Sequence, residues 1–186
     1  MKRNILFAAI LSLFLMAISV SAQKASNFSG TWTLDVSKSK LGERVTIESQ
    51  TLTVTQTDKD IKVVTATKRA APPAGAPAGG GGGRPGGGGG MGGGDTTVSY
   101  NLDGKEVTIE QESPMGKVPM KMSGKIDGGK LKLASARTFN GPNGEITTTN
   151  KESWSVSEDG NVLTVDREMT SPRGTNSTQS VYTRKP

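Results

Sequence analysis

Phe28-Ser29-Gly30-Thr31-Trp32-Thr33-Leu34-Asp35-Val36 places apolar Trp32, Leu34 and Val36 at every second position, with polar Thr31, Thr33 and Asp35 between them. A period of two sends neighbouring side chains to opposite faces of an extended chain, so this stretch reads as a strand with one buried face. The same alternation recurs along the rest of the sequence. Leu52 and Val54 are interleaved with Thr51, Thr53 and Thr55, and Ile61 and Val63 follow Asp58-Lys59-Asp60. Val98, Tyr100 and Leu102 alternate with Thr97, Ser99 and Asn101, and Asp103-Gly104 then signals a tight hairpin returning through Val107 and Ile109. Met120, Met122 and Ile126 share a face before the turn Asp127-Gly128-Gly129, and Leu131 and Leu133 continue to a second turn at Asn140–Gly144. Ile146, Trp154 and Val156 share parity on a long Thr-rich strand ending at Glu158-Asp159-Gly160. Leu163, Val165 and Met169 lead into a loop around Pro172 and Gly174, and the last strand carries Val181 and Tyr182 up to Arg184.

These are about ten strands with turn signals at the spacing of an all-β sandwich or barrel. Their enrichment in Thr, Val and Ile agrees with strand preference, and helical spacing never persists for three turns. Most connections are tight and join neighbours, which describes a meander. A meander of this length exposes two edges unless it closes. The expectation is therefore an all-β chain, an antiparallel up-and-down β-barrel of about 8–10 strands, with a sandwich as the alternative.

The 186 residues divide into three parts. Met1-Lys2-Arg3 followed by the apolar run Ile5–Val20 and the small-residue exit Val20-Ser21-Ala22 reads as a Sec-type signal peptide over 1–22, cleaved after Ala22. That implies a secreted or periplasmic protein with no membrane insertion after cleavage. Residues 71–94 hold 14 of the 25 glycines and read as a disordered Gly/Pro-rich loop inside a single domain over 23–186. They lack the Gly-Lys-Ser/Thr ending of a phosphate loop and any Gly-x-y period. Loop-closure entropy grows only logarithmically, so a barrel tolerates such an insertion between adjacent strands.

Gly30-x-Trp32 on the first strand, with Arg184 on the last, resembles the lipocalin and fatty-acid-binding (calycin) barrels. The meander extends that resemblance over most of 28–185. It implies a lipocalin-like barrel in which Trp32 sits at the closed end and Arg184 packs over it, a cation–π closure of about 0.5–2 kcal/mol. Residues 37–43 are too few for a helix-turn-helix lid, so the resemblance carries fold further than ligand. Small secreted bacterial proteins of unassigned role also look like this one, beginning near Phe-Ser-Gly-Thr-Trp and ending near Val-Tyr.

The chemistry legible in the residues is sparse. With no His and no Cys, the chain has no imidazole base, thiol nucleophile, disulfide or zinc site of the usual ligand types. Ser37-Lys38-Ser39-Lys40 has a Ser-x-x-Lys spacing, but the companion motifs of the acyl enzymes are absent and the stretch reads as a solvated loop. Asp58/Asp60 and Glu158/Asp159 fit turns better than a Ca²⁺ loop. No metal, cofactor or catalytic residue is assigned, and the protein reads as a non-enzyme. The formal charge of +6 is spread along the strands and the aromatics are dispersed, which excludes a nucleic-acid stripe.

One anomaly remains. Parity places Arg137 with Leu131 and Leu133, Asn150 and Glu152 with Ile146 and Trp154, and Arg167 with Leu163 and Val165. Three ionisable groups pointing inward must pair or reach water. They form either an internal Arg–Glu–Arg network or a bulge that flips the register, or else a partly hydrated lumen. In that lumen Arg137 and Arg167 recognise an acidic or polar small molecule, Glu152 orients them, and Met120 and Met122 supply an adaptable wall. The expected function is an exported barrel binding a small amphipathic or acidic ligand in its interior. The alternative is an envelope or protein–protein interaction module with a filled barrel.

Overall fold

The computed structural model describes residues 26–42, 47–69, 95–113, 116–141 and 144–186. The signal peptide read at 1–22 and the glycine-rich loop read at 71–94 lie outside the described residues. Ten antiparallel strands form one sheet: β1 (Gly30–Leu34), β2 (Ile47–Gln56), β3 (Asp60–Arg69), β4 (Thr96–Asn101), β5 (Val107–Ser113), β6 (Gly116–Asp127), β7 (Lys130–Gly141), β8 (Gly144–Val156), β9 (Val162–Ser171) and β10 (Gly174–Arg184). Their order is β4-β3-β2-β1-β10-β9-β8-β7-β6-β5, a meander curled into an open barrel. The only helical piece among the described residues is a 3₁₀ turn at Val36–Lys38.

The first and last strands pair in mid-sheet, with Trp32 opposite both Arg184 and Leu52. β3 and β4 also pair, from Asp60↔Asn101 to Thr65↔Thr96, so the residues on either side of the glycine-rich tract belong to neighbouring strands.

Two local expectations are corrected. Val36 continues the alternation in sequence but does not extend β1. Asp35 Oδ1 accepts hydrogen bonds from the backbone N–H groups of Ser37 (3.1 Å) and Lys38 (3.3 Å), which turns the chain and leaves Val36 46% exposed.

The second correction concerns Asp103-Gly104, which does not close a hairpin, since β4 and β5 are not neighbours. Gly104 N–H instead donates to Gly124 O of β6 (2.9 Å), and Asp103 bridges to Lys125. The competing force is packing. Gly124 has no side chain, so β4 lies directly against β6; a Cβ there would stand 2.8 Å from Asn101 O and 3.1 Å from Tyr100 Cβ. Burying Tyr100 over that glycine outweighs the intrinsic preference of an Asp-Gly pair. The ladder therefore ends at β4 and β5, and the β4–β6 approach closes one end of the gap between them.

The apolar core follows the predicted parity except at Ile109, Ile126 and Met169, which share it but are exposed (42%, 37% and 42%). Trp32, Phe28, Ile61, Met122, Leu131 and Leu163 are the largest fully buried side chains, joined by Leu52, Val54, Leu133, Trp154 and Val165. Residues ahead of β1 cross the end of the barrel beside Trp32. Phe28 O accepts from Trp32 Nε1 (2.9 Å), Phe28 N–H donates to Gln56 Oε1 (2.8 Å), and Ser26 Oγ donates to Gly129 O (2.6 Å). The Trp32 end is thereby capped by the chain itself.

Candidate functional site

The site is assembled by register. Leu133, Glu152, Arg167 and Thr178 face one another in turn across β7, β8, β9 and β10, all on the core side of the sheet. One inward step closer to the capped end are Leu131, Trp154, Val165 and Ser180. One step the other way are Met122, Ser135, Asn150 and Met169, and beyond them Met120, Arg137 and Thr148. The inward face therefore changes along the barrel from an apolar floor, through a charged layer, to a mixed layer of methionine, amide and guanidinium.

Glu152 anchors the charged layer. Its side chain is 7% exposed, and its carboxylate is fully engaged. Oε1 accepts from Asn150 Nδ2 (2.9 Å) and Arg167 Nε (2.9 Å) and lies 2.8 Å from Arg167 Nη2, while Oε2 accepts from Trp154 Nε1 (2.7 Å). Such saturation is what allows a carboxylate to be buried beside apolar neighbours. Burial alone would lower the pKa of Arg167, but the Glu152 carboxylate beside it holds the guanidinium above its ordinary value. Two tyrosines complete the layer. Burial, reinforced by the charge of Glu152, pushes the Tyr100 phenol well up. Burial likewise raises Tyr182 to about 12, and its hydroxyl donates to Gln50 Oε1 (2.7 Å).

Arg137 is separate from this pair. It lies four residues beyond Leu133 on β7, roughly 13 Å along the strand at about 3.3 Å per residue. Its guanidinium donates to Gln111 Oε1 of β5 and approaches Met120 Sδ (3.8 Å), and partial burial lowers its pKa. Asn150 occupies the row between Arg137 and Glu152. Its Nδ2 is spent on Glu152, while its Oδ1 is buried without a hydrogen-bond partner. Met120 (6% exposed) and Met122 (2%) pack into the core cluster and form the wall beside Arg137.

Of the residues singled out from sequence, the structure unites Glu152 with Arg167 and, at a distance, Arg137 with Met120. Gln111, Tyr100, Tyr182 and Gln50 were not singled out. Gln111 shares the parity of Val107 and Ile109, a signal that could have found it. Tyr100 reaches the layer only because β4 rests on Gly124, which no local pattern announces. The closure implied by Gly30, Trp32 and Arg184 is present, with the Arg184 guanidinium 4.1 Å from the centre of the Trp32 ring.

No family profile matches the chain, and no curated protein does. Among solved structures it is similar to zebrafish ileal bile acid-binding protein complexed with cholic acid, at 14% identity over 85% of this chain and 98% of that one, with a TM-score of 0.45. It is also similar to two variants of the fluorescent protein UnaG, each at 16% identity. One covers 86% of this chain and 96% of its own with a TM-score of 0.47; the other covers 84% and 95% with a TM-score of 0.44.

Proposed function

We propose that this protein is an exported, non-catalytic barrel that binds a small amphipathic or acidic molecule on its inward face. The observation that carries the reading is the layering of that face, where Arg137, held by Gln111 and Met120, stands one row beyond Asn150 and two beyond the saturated Glu152–Arg167 pair. An acidic head at Arg137 makes charge-assisted hydrogen bonds, and a neighbouring hydroxyl or amine satisfies Asn150 Oδ1. The apolar body then lies along Met120 and Met122, whose flexible thioethers adapt to shape. Because the carboxylate of Glu152 is already filled, the role of Arg167 is to keep that layer neutral and rigid beneath the ligand. Export rests on the basic start, apolar run and small-residue exit of residues 1–22.

Titration of tryptophan fluorescence with a long-chain fatty carboxylate and with its methyl ester tests the reading. The acid binds more tightly than the ester, and Arg137→Gln removes that difference, roughly a tenfold loss for the acid alone. Equal affinities in the unsubstituted protein overturn it.

A second reading, an interaction module with a filled barrel, is favoured by the packing of the capped end, where Phe28, Trp32, Leu131 and Leu163 are all fully buried. It predicts no saturable binding of either probe.

A further inference from the structure

A groove of about 660 Å³ crosses the sheet on the side opposite the core, from β6 to β10. The residues along it are consecutive triplets rather than alternate positions: Lys132 and Ala134 flank Leu133, and Lys151 and Ser153 flank Glu152. In a strand only one of two neighbours can face inward, so the members flanking buried Leu133 and Glu152 face outward. The groove thus runs between two rows of outward side chains, and it spans five strands, roughly 20 Å at about 4.8 Å per strand.

The rows are not uniform. At the β6–β8 end, Lys125 and Lys132 stand directly opposite each other in register, a like-charged cross-strand pair that costs stability on its own. Lys125 reaches Asp127 (3.0 Å) and Lys132 donates to Ser153 Oγ (2.7 Å). Lys151 joins them from β8, on the same outward face. Toward β9 and β10 the lining adds Glu168, which stands opposite Lys151 in register, Asp166, which accepts from Gln179 Nε2 (2.8 Å), and the hydroxyl of Ser177, with Lys40 bridged to Gln179 at the far end.

We propose that this outer groove binds a linear acidic polysaccharide. Its anionic groups lie among Lys125, Lys132 and Lys151, adding to the partial neutralisation that Asp127 supplies. Its hydroxyls donate to Asp166 and Glu168. A simple anion is repelled by those two carboxylates, and a neutral glycan makes hydrogen bonds but no ion pairs with the lysines. A chain carrying both carboxylates and many hydroxyls matches the whole length. The site is independent of the inward face.

Binding of the protein to polygalacturonate oligomers, to neutral dextran and to phosphatidylglycerol vesicles tests this at low and at high salt. The proposal expects saturable binding to polygalacturonate only, weakened by salt. Lys132→Gln/Lys151→Gln then lowers affinity roughly five- to thirtyfold, whereas Lys62→Gln/Lys68→Gln, an equal change of charge elsewhere, leaves it unchanged. Asp166→Ala/Glu168→Ala also weakens binding. Strengthened binding in that acidic-residue variant shows attraction by net charge alone and overturns the proposal. So do equal losses in the two lysine variants, equal binding to vesicles, or no binding at low salt.

Discussion

The guanidinium of Arg184 lies 4.1 Å over the Trp32 ring, and the two residues are register partners across the first and last strands. The same guanidinium donates through Nε to Gly160 O (2.7 Å) and through Nη1 to Ser29 O (2.7 Å). One side chain thus ties together β1, β10 and the β8–β9 turn. Arg184→Ala removes the cation–π contact and two charged hydrogen bonds, a loss of about 2–4 kcal/mol. Thermal unfolding should shift down by roughly 5–15 °C. Gly30→Ala should do comparable damage, because its φ of +140° disfavours any side chain and its Cβ would collide with Arg184 Nη1. A shift below about 2 °C in both variants would show that the contact does not hold the ends together.

Gly124 makes the corresponding join at the open edge of the sheet. A methyl group there must displace Asn101 O and Tyr100, so Gly124→Ala should cost about 1–3 kcal/mol. Hydrogen exchange should speed up in β4 and at Gly104 while β1 and β10 keep their protection. Uniform acceleration over the whole sheet would mean that the β4–β6 approach is no separate unit.

The Glu152–Arg167 pair gives a double-mutant cycle. Arg167→Met strands a carboxylate that is 7% exposed, at a cost of about 3 kcal/mol. Glu152→Leu/Arg167→Met removes both charges and should recover part of that loss, the remainder being the Trp154 Nε1 and Asn150 Nδ2 donors left without their acceptor. Strictly additive losses in denaturant melts would contradict a coupled pair.

Alkaline stability follows from the tyrosines. Burial raises Tyr182 from its ordinary 10 to about 12, and Tyr100 moves in the same direction. Between those values the unfolded chain has released protons that the native state retains, so stability is complete below pH 10 and falls as pH rises toward 12. Tyrosinate absorbance should therefore appear together with unfolding, and Tyr182→Phe should flatten the decline. Tyrosinate forming in still-folded protein near pH 10 would refute the buried setting.

How far the residues announced this molecule varies by element. The period-two pattern around Trp32, Leu131 and Trp154 marks strands and their buried face, because alternation is imposed locally by the pleat. Gly30, Trp32 and Arg184 lie at opposite ends of the chain, and the barrel resemblance alone linked them. Asp103-Gly104 misled, because its turn preference is local while the docking of Tyr100 on Gly124 is not. The inward placement of Glu152 and Arg167 was legible from parity. Their mutual saturation was not, since it depends on register across β8 and β9 and on Trp154 and Asn150 two positions to either side. Arg137 shares their parity yet sits in another layer, and parity carries no information on height along a strand.

The central claim is that the inward face at Arg137 holds a small molecule. Native mass spectrometry of the protein purified from its own host tests it most directly. The account predicts a reproducible adduct of small-molecule mass on the folded protein, displaced by a fatty carboxylate and absent in an Arg137→Gln variant that melts like the unsubstituted chain. Adduct-free protein, or an adduct that persists in that variant, would contradict it.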